Sequence, residues 1–353
     1  MRAAVLEEYG DPLAIAEVES PTPDPDGVVI EVEACGICRS DWHAWQGHGE
    51  WVDDQVPRGQ VLGHEPAGTV VETGERVTGI VEGDPVAVPF CLGDGTCRYC
   101  QNGHGNVCPD GLALGFEPRA PGAFAERVHV PHAEYNAIPL PEDVDRVEVA
   151  ALGCRFATAY HGLAHRADLA AGEWVAVYGC GGVGLSAIHL ADAMGASTVA
   201  VDVREEPLEM ARDLGATRTI DAETIDDAPA EIRALTGEGA DVSVDALGLA
   251  ETCRNAVASL RRGGRHVQLG LTTDAEEGEV ALPLDEITMR EIAVLGGRGM
   301  PPSRYDELLA LLSAGRIDPG KLVTRRVPLA EVPDRLAAMG EYGTVGVEVA
   351  TEF

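Results

Sequence analysis

Lysine is almost absent from this chain: of 353 residues, Lys321 is the only one. Basic residues of any kind are scarce, with 26 Lys and Arg against 59 Asp and Glu and a formal net charge of −33. A surface of that sign repels nucleic acid and anionic membrane, so neither is an expected partner. Long apolar runs are missing as well, and no stretch approaches the length of a membrane helix. The opening MRAAVLEEYGDPLAI lacks the apolar core of a cleavable signal, so a cytoplasmic location is expected. Internal repeats and low-complexity tracts do not stand out.

What is present argues for a folded chain. Hydrophobic residues make up 45% of it, and the acids are scattered among periodic apolar segments, a pattern unlike that of a disordered acidic tract. The length suggests two domains or one large one, with ample chain to bury a core. A hydrated, lysine-poor acidic surface suits a cytoplasm with molar salt, where screening over about 3 Å removes self-repulsion. A salt-adapted organism is therefore expected. Nine cysteines in a large chain of this kind point to metal ligation before disulfides.

The first 150 residues are rich in Gly, Pro and short β-branched runs such as VVIEVEA (28–34) and GTVVETG (68–74), the texture of an irregular β domain. Beyond residue 170 the texture changes. Strand EWVAVYG (173–179) leads through a glycine-rich turn into helix LSAIHLADAMGA (185–196). Strand STVAVDV (197–203) and helix PLEMARDLGA (207–216) follow, with Pro207 at the helix start. Strand ADVSVDALG (240–248), helix AETCRNAVASLRRGG (250–264) and strand RHVQLGL (265–271) continue the alternation, which reads as a doubly wound parallel sheet. After IAVLGG (292–297) a helix at 303–315 and the terminal GVEVATEF are expected to return to the first domain. The expected division is 1–155 for the β domain with a cysteine lobe at 91–108, 156–294 for the inserted doubly wound domain, and 295–353 for the return.

GCGGVG (179–184) has the form G-x-G-x-x-G, a weak signal alone but here set between a strand and a helix. Gly179 permits the tight turn, Gly181 the close approach of backbone to pyrophosphate, and Gly184 the packing of helix on strand, with Gly182 a further cofactor-binding position of the loop. The helix N-terminus then offers its N–H groups to phosphate. Asp202 ends the next strand, 18 residues past Gly184. A carboxylate there accepts hydrogen bonds from a ribose diol and repels a 2′-phosphate, which argues for NAD. Arg204, two residues on, softens that exclusion and leaves NADP open.

Soft and borderline metal ligands cluster in three segments: CGICRSDWH (35–43), GHEPAG (63–68) and ALGCRFATAYHGL (151–163). Cys38, His64 and Cys154 together make two thiolates and an imidazole with a fourth position open, the arrangement of a catalytic zinc. A lone cysteine is more often a small core residue, yet three such residues in order before a dinucleotide fold make chance a poor account.

With these motifs the chain resembles the zinc-dependent medium-chain alcohol dehydrogenases over essentially its whole length, as a salt-adapted, haloarchaeal-like member. The match lies in G-x-C-x-S-D-x-H at 36–43, G-H-E at 63–65, the lobe at 91–108, Cys154 and G-x-G-G-V-G at 179–184. The resemblance implies a GroES-like β domain with an inserted Rossmann domain, and Cys38, His64 and Cys154 as ligands of a catalytic zinc. Glu65 is implied as an occasional ligand, and Asp41 as the residue that orients His64. It further implies Ser40 and His43 as a proton relay, Thr158 and Val183 beside the nicotinamide, and Arg39 on the pyrophosphate. The implied reaction is reversible hydride transfer between a primary or secondary alcohol and NAD, giving aldehyde or ketone, in a homodimer or homotetramer.

A sugar or polyol dehydrogenase on the same scaffold is the alternative within enzymes. Polyol relatives commonly carry glutamate near the third ligand position, so Cys154 leans toward simple alcohols. A non-catalytic, nucleotide-binding protein of crystallin type would be expected to have lost Cys38, His64 or Cys154, and all are intact. Trp42, Trp45, Trp51 and Phe90 are candidates for an apolar substrate pocket, although Trp45 and Trp51 read equally well as core.

Two departures from the family stand out. Val347 occupies a place where many relatives carry a pyrophosphate-binding arginine. In the lobe CLGDGTCRYC (91–100), Asp94 stands where the family has the first cysteine of C-x2-C-x2-C-x7-C, ahead of Cys97, Cys100 and Cys108. A site of one carboxylate and three thiolates is acceptable to a structural zinc. Cys91 with a looped-out Asp94, or an empty lobe, are the competing readings.

Overall fold

The structure is a computed structural model and describes residues 1–48, 56–273, 275–340 and 344–353. Trp51 falls outside the described residues. The chain forms two compact units, Met1–Ala157 with Gly299–Phe353, and Thr158–Arg298. The second is thus inserted in the first along the sequence.

The first unit is built on a sheet whose centre is Val28–Ile37. This strand pairs antiparallel with Pro66–Thr73, Arg127–Val130 and the terminal strand Val347–Glu352. The terminal segment therefore returns to this unit, through Glu348↔Ile37 and Ala350↔Cys35. Val347 is fully buried in that sheet. Val28, Ile30, Val32, Phe124 and Val130 are buried in one apolar core, which also takes in Trp45. Trp45 is thus core and not pocket, and its indole N–H donates to the Asp11 carbonyl.

The second unit holds six parallel strands in the spatial order Arg218–Asp221, Ser197–Asp202, Trp174–Tyr178, Ala240–Asp245, Leu260–Gln268, Ala293–Gly296. Trp174–Tyr178 is flanked by the second strand on one side and the fourth on the other. That is the switch point where open α/β sheets bind ligands, beyond the carboxyl ends of the strands.

Two expectations need correction. The helix expected over 250–264 ends at Ala258, because Leu260 pairs with Ala240 and the chain is already strand through Gln268. Burial of Leu260 against Val257 and Ile292 favours that early turn into the sheet. The helix expected to begin at Pro207 begins at Glu205. Proline is tolerated there because first-turn N–H groups have no helical partner, and Glu205 and Glu206 suit the helix dipole.

Candidate active site

In the first unit, Cys38 ends the extended run of Val28–Ile37 and caps the helix Arg39–Gln46. Asp41, in the first turn of that helix, is fully buried. Its Oδ2 accepts from the Cys38 backbone N–H at 3.0 Å, and its Oδ1 accepts from the Gly63 N–H at 3.0 Å. The same Oδ1 lies 2.8 Å from His64 Nδ1. Asp41 thus ties the helix to the segment carrying His64 and directs the other ring nitrogen away from itself.

Cys154 comes from a distorted helical stretch, Leu152–Phe156, in which Gly153 departs from helical backbone angles. Cys38, His64, Glu65 and Cys154 place one donor atom each within 4.8 Å of one another. His64 Nε2 is buried and has no hydrogen-bond partner among the described residues. A buried imidazole nitrogen left unpaired costs about 1–3 kcal/mol, a cost that a metal ion at this position would remove. Its second nitrogen is fixed by a carboxylate, the arrangement usual for metal-bound histidine. The Cys154 thiol and the Arg155 guanidinium hold Cys38 well below the ordinary thiol range despite its burial, as a thiolate ligand requires. The residues present therefore fit zinc.

Ser40 Oγ lies 3.8 Å from Cys38 Sγ. His43 Nδ1 is 3.4 Å from Nδ1 of His48, and both rings sit edge-on to Trp42. The Arg39 guanidinium stacks over Trp42 and donates to the Gly340 carbonyl at 2.8 Å. Phe90 and Phe116 close around His64, with ring centroids at 5.7 and 4.8 Å.

Asp94, Cys97, Cys100 and Cys108 likewise bring donor atoms within 4.8 Å of one another. Asp94 Oδ1 accepts from the N–H groups of Thr96 and Cys97 at 2.8 and 2.9 Å. Those two bonds fold the turn and hold the carboxyl well below its usual range. Cys91 is not in this group. It is a buried residue of strand Cys91–Leu92, paired with Ala113.

In the second unit the glycine loop joins strand Trp174–Tyr178 to helix Gly182–Ala193. Gly179 has φ +90°, and a Cβ on Gly184 would stand 1.8 Å from the Gly179 carbonyl oxygen, so both positions demand glycine. Gly181 caps the helix and Val183 lies in its first turn. Asp202 Oδ2 accepts from the Cys180 N–H at 2.8 Å and Oδ1 from the Arg204 N–H at 3.0 Å. The Arg204 guanidinium is 3.7 Å from the same carboxylate. Thr158 belongs to this unit and is buried.

Sequence reasoning missed several residues. Val203, Leu247, Leu249 and Leu271 are exposed apolar side chains, and each follows the carboxyl end of a strand of this sheet. Nothing in their spacing marks them, because strand order is needed to bring them to one edge. Phe116 was missed because only tertiary packing brings its ring against His64, and His48 because its approach to His43 follows the left-handed turn at Gly47 that ends the helix. Arg155 had a signal: a basic residue directly after a ligand cysteine, in a chain poor in bases, calls for a buried acid.

Comparison with known proteins identifies the family. Residues 24–142 match the model of the alcohol dehydrogenase GroES-like domain, and residues 182–314 that of the zinc-binding dehydrogenase family. An NAD-dependent alcohol dehydrogenase of Sulfurisphaera tokodaii is 35% identical over 99% of both chains. An alcohol dehydrogenase of Geobacillus stearothermophilus is 35% identical over 90% of both. Among solved structures, alcohol dehydrogenase TADH from Thermus sp. ATN1 superposes over 100% of both chains with a TM-score of 0.92 at 32% identity. The chain belongs to the zinc-dependent medium-chain alcohol dehydrogenase family, with a GroES-like domain and an inserted Rossmann domain.

Proposed function

We propose that the protein is a zinc- and NAD-dependent alcohol dehydrogenase, interconverting a primary or secondary alcohol with its aldehyde or ketone. The observation that carries this reading is His64 Nε2, buried and without a hydrogen-bond partner among the described residues, beside two cysteines while Asp41 fixes Nδ1. Cys38, His64 and Cys154 hold the zinc, which when bound supplies Lewis-acid polarisation of the substrate oxygen. Ser40 Oγ would take the alcohol proton while giving up its own toward His43 and solvent, and the alcohol carbon would give its hydride to the nicotinamide of NAD. Asp202 takes the ribose diol, and the N–H groups at the start of Gly182–Ala193 take the pyrophosphate with Arg39. Thr158 and Val183 flank the nicotinamide. The Asp202 carboxylate makes NAD the preferred cofactor, and Arg204, 3.7 Å from that carboxylate, leaves NADP open. Asp94, Cys97, Cys100 and Cys108 hold a second, structural zinc.

The physiological form is a homodimer or homotetramer in a cytoplasm of high salt, a setting argued from the net charge of −33. The test is a substrate panel of simple alcohols, aromatic alcohols, sorbitol and glucose with both cofactors, in molar KCl after metal analysis. Cys38→Ser or His64→Ala should abolish turnover while NAD binding survives, because the cofactor loop is untouched. Activity of more than a few per cent in a zinc-free variant would sink the zinc mechanism. Preference for sorbitol or glucose would move the reading to polyols.

A further inference from the structure

Four protein donors, from Cys38, His64, Cys154 and Glu65, lie within 4.8 Å of one another. Four such ligands close a tetrahedral zinc, as in structural sites, and leave no place for a substrate oxygen. Arg155 occupies the carboxylate that would close it. Its Nε and its backbone N–H donate to Glu65 Oε1 at 3.2 and 3.3 Å, and its Nη2 pairs with Oε2. Nη1 donates to the Ile37 carbonyl at 3.1 Å.

Each of these contacts falls beside a zinc ligand: Ile37 precedes Cys38, Glu65 follows His64, and Arg155 follows Cys154. One guanidinium therefore joins the three ligand-bearing segments. The pair is buried, with side-chain exposures of 6% and 0%, so water does not compete for either partner. Room for the fork comes from Gly36, where a Cβ would stand 2.2 Å from Glu65 Oε2 and 3.0 Å from Arg155 Nη2.

We propose that Arg155 is a positioning residue that keeps the metal centre open: by engaging both oxygens of Glu65 it holds the fourth coordination position free for substrate. The inference rests on the zinc reading above. Without the fork, a Glu65 oxygen enters the coordination sphere and competes with any exogenous ligand.

The test uses the full enzyme with cobalt(II) in place of zinc and imidazole as the probe of the fourth position. A Cys38→Ser control identifies the bands that belong to this centre. In the wild type, imidazole should shift the cobalt d–d bands. In Arg155→Met the bands should already be displaced before imidazole is added, and its affinity should fall about 10–100-fold, the usual effect of losing a residue behind a metal ligand. Adding Glu65→Gln to that variant should restore both the spectrum and imidazole binding, which a merely structural role of Arg155 would not allow. If Arg155→Met does not fold, Arg155→Lys carries the test: it keeps the charge but cannot span both oxygens, and imidazole binding should weaken. Wild-type imidazole affinity in Arg155→Met or Arg155→Lys overturns the proposal, as does a double variant that stays impaired. A wild type with no Cys38-dependent thiolate-to-cobalt band overturns the zinc reading itself, a separate result.

Discussion

Asp41 and His64 are joined by a 2.8 Å contact between two side chains with no solvent exposure. The same carboxylate also receives the N–H groups of Cys38 and Gly63, so one acid fixes two neighbouring ligand segments. Asp41→Asn keeps the shape but not the charge, and zinc affinity should drop about 10–100-fold, measured by competition with a chromophoric chelator. Asp41→Ala also strands two buried N–H donors, each costing about 1–3 kcal/mol, and should melt well below Asp41→Asn. Unchanged zinc affinity in Asp41→Asn would refute the orienting role.

Asp94 has two separable tasks. Its Oδ1 folds the turn through Thr96 and Cys97, and the carboxylate as a whole sits among three cysteines. Metal analysis of the wild type should find two zinc ions per chain, and Asp94→Ala should leave about one, since losing one of four ligands opens the site to chelators. Asp94→Asn keeps an acceptor for the turn, so it should lose the zinc with a smaller drop in melting temperature than Asp94→Ala. Asp94→Cys should bind the second zinc more tightly, the thiolate being the softer ligand. Cys91→Ser should be nearly silent in zinc content. Loss of the second zinc in Cys91→Ser alone would reassign the site.

Asp202 makes hydrogen bonds to the N–H groups of Cys180 and Arg204 before any cofactor arrives. Asp202→Gly removes the ribose partner and the repulsion of a 2′-phosphate. Loss of charge-assisted bonds worth about 1.5–3 kcal/mol should lower kcat/KM for NAD about 10–100-fold, while that for NADP rises. Steady-state kinetics with both cofactors decide this, and a wild type that already prefers NADP contradicts the role given to Asp202.

Charge repulsion should make folding depend on salt. With 59 acidic residues against 26 basic ones, dilute buffer leaves the carboxylates unscreened, whereas about 1 M salt shortens the screening length to about 3 Å. The melting temperature and the activity should both rise steeply between 0.1 and about 1 M KCl. A salt-independent melting curve would count against salt adaptation.

Local order in the chain was enough to indicate the alternation of strands and helices after residue 170, the glycine loop with Asp202, and the two groups of metal-binding residue types. These signals survive in one dimension because hydrophobic periodicity, turn chemistry and ligand spacing act over a few residues. Helix ends were less legible, as at Ala258, where pairing of Leu260 with Ala240 overrides a continuing helical pattern.

Other features exist only once distant segments meet. Arg155 is separated from Glu65 by 90 residues and from Ile37 by 118. Nothing local reveals that its guanidinium spans the carboxylate beside His64, because burial supplies both the partner and the exclusion of water. Asp94 and Cys91 are alternatives in sequence, but sheet pairing draws Cys91 into the strand opposite Ala113 while the turn at Thr96 carries Asp94 to Cys97, Cys100 and Cys108. Sequence thus determined which ligand chemistries this protein carries. Tertiary structure decided which donors converge, since convergence depends on packing between segments far apart in the chain.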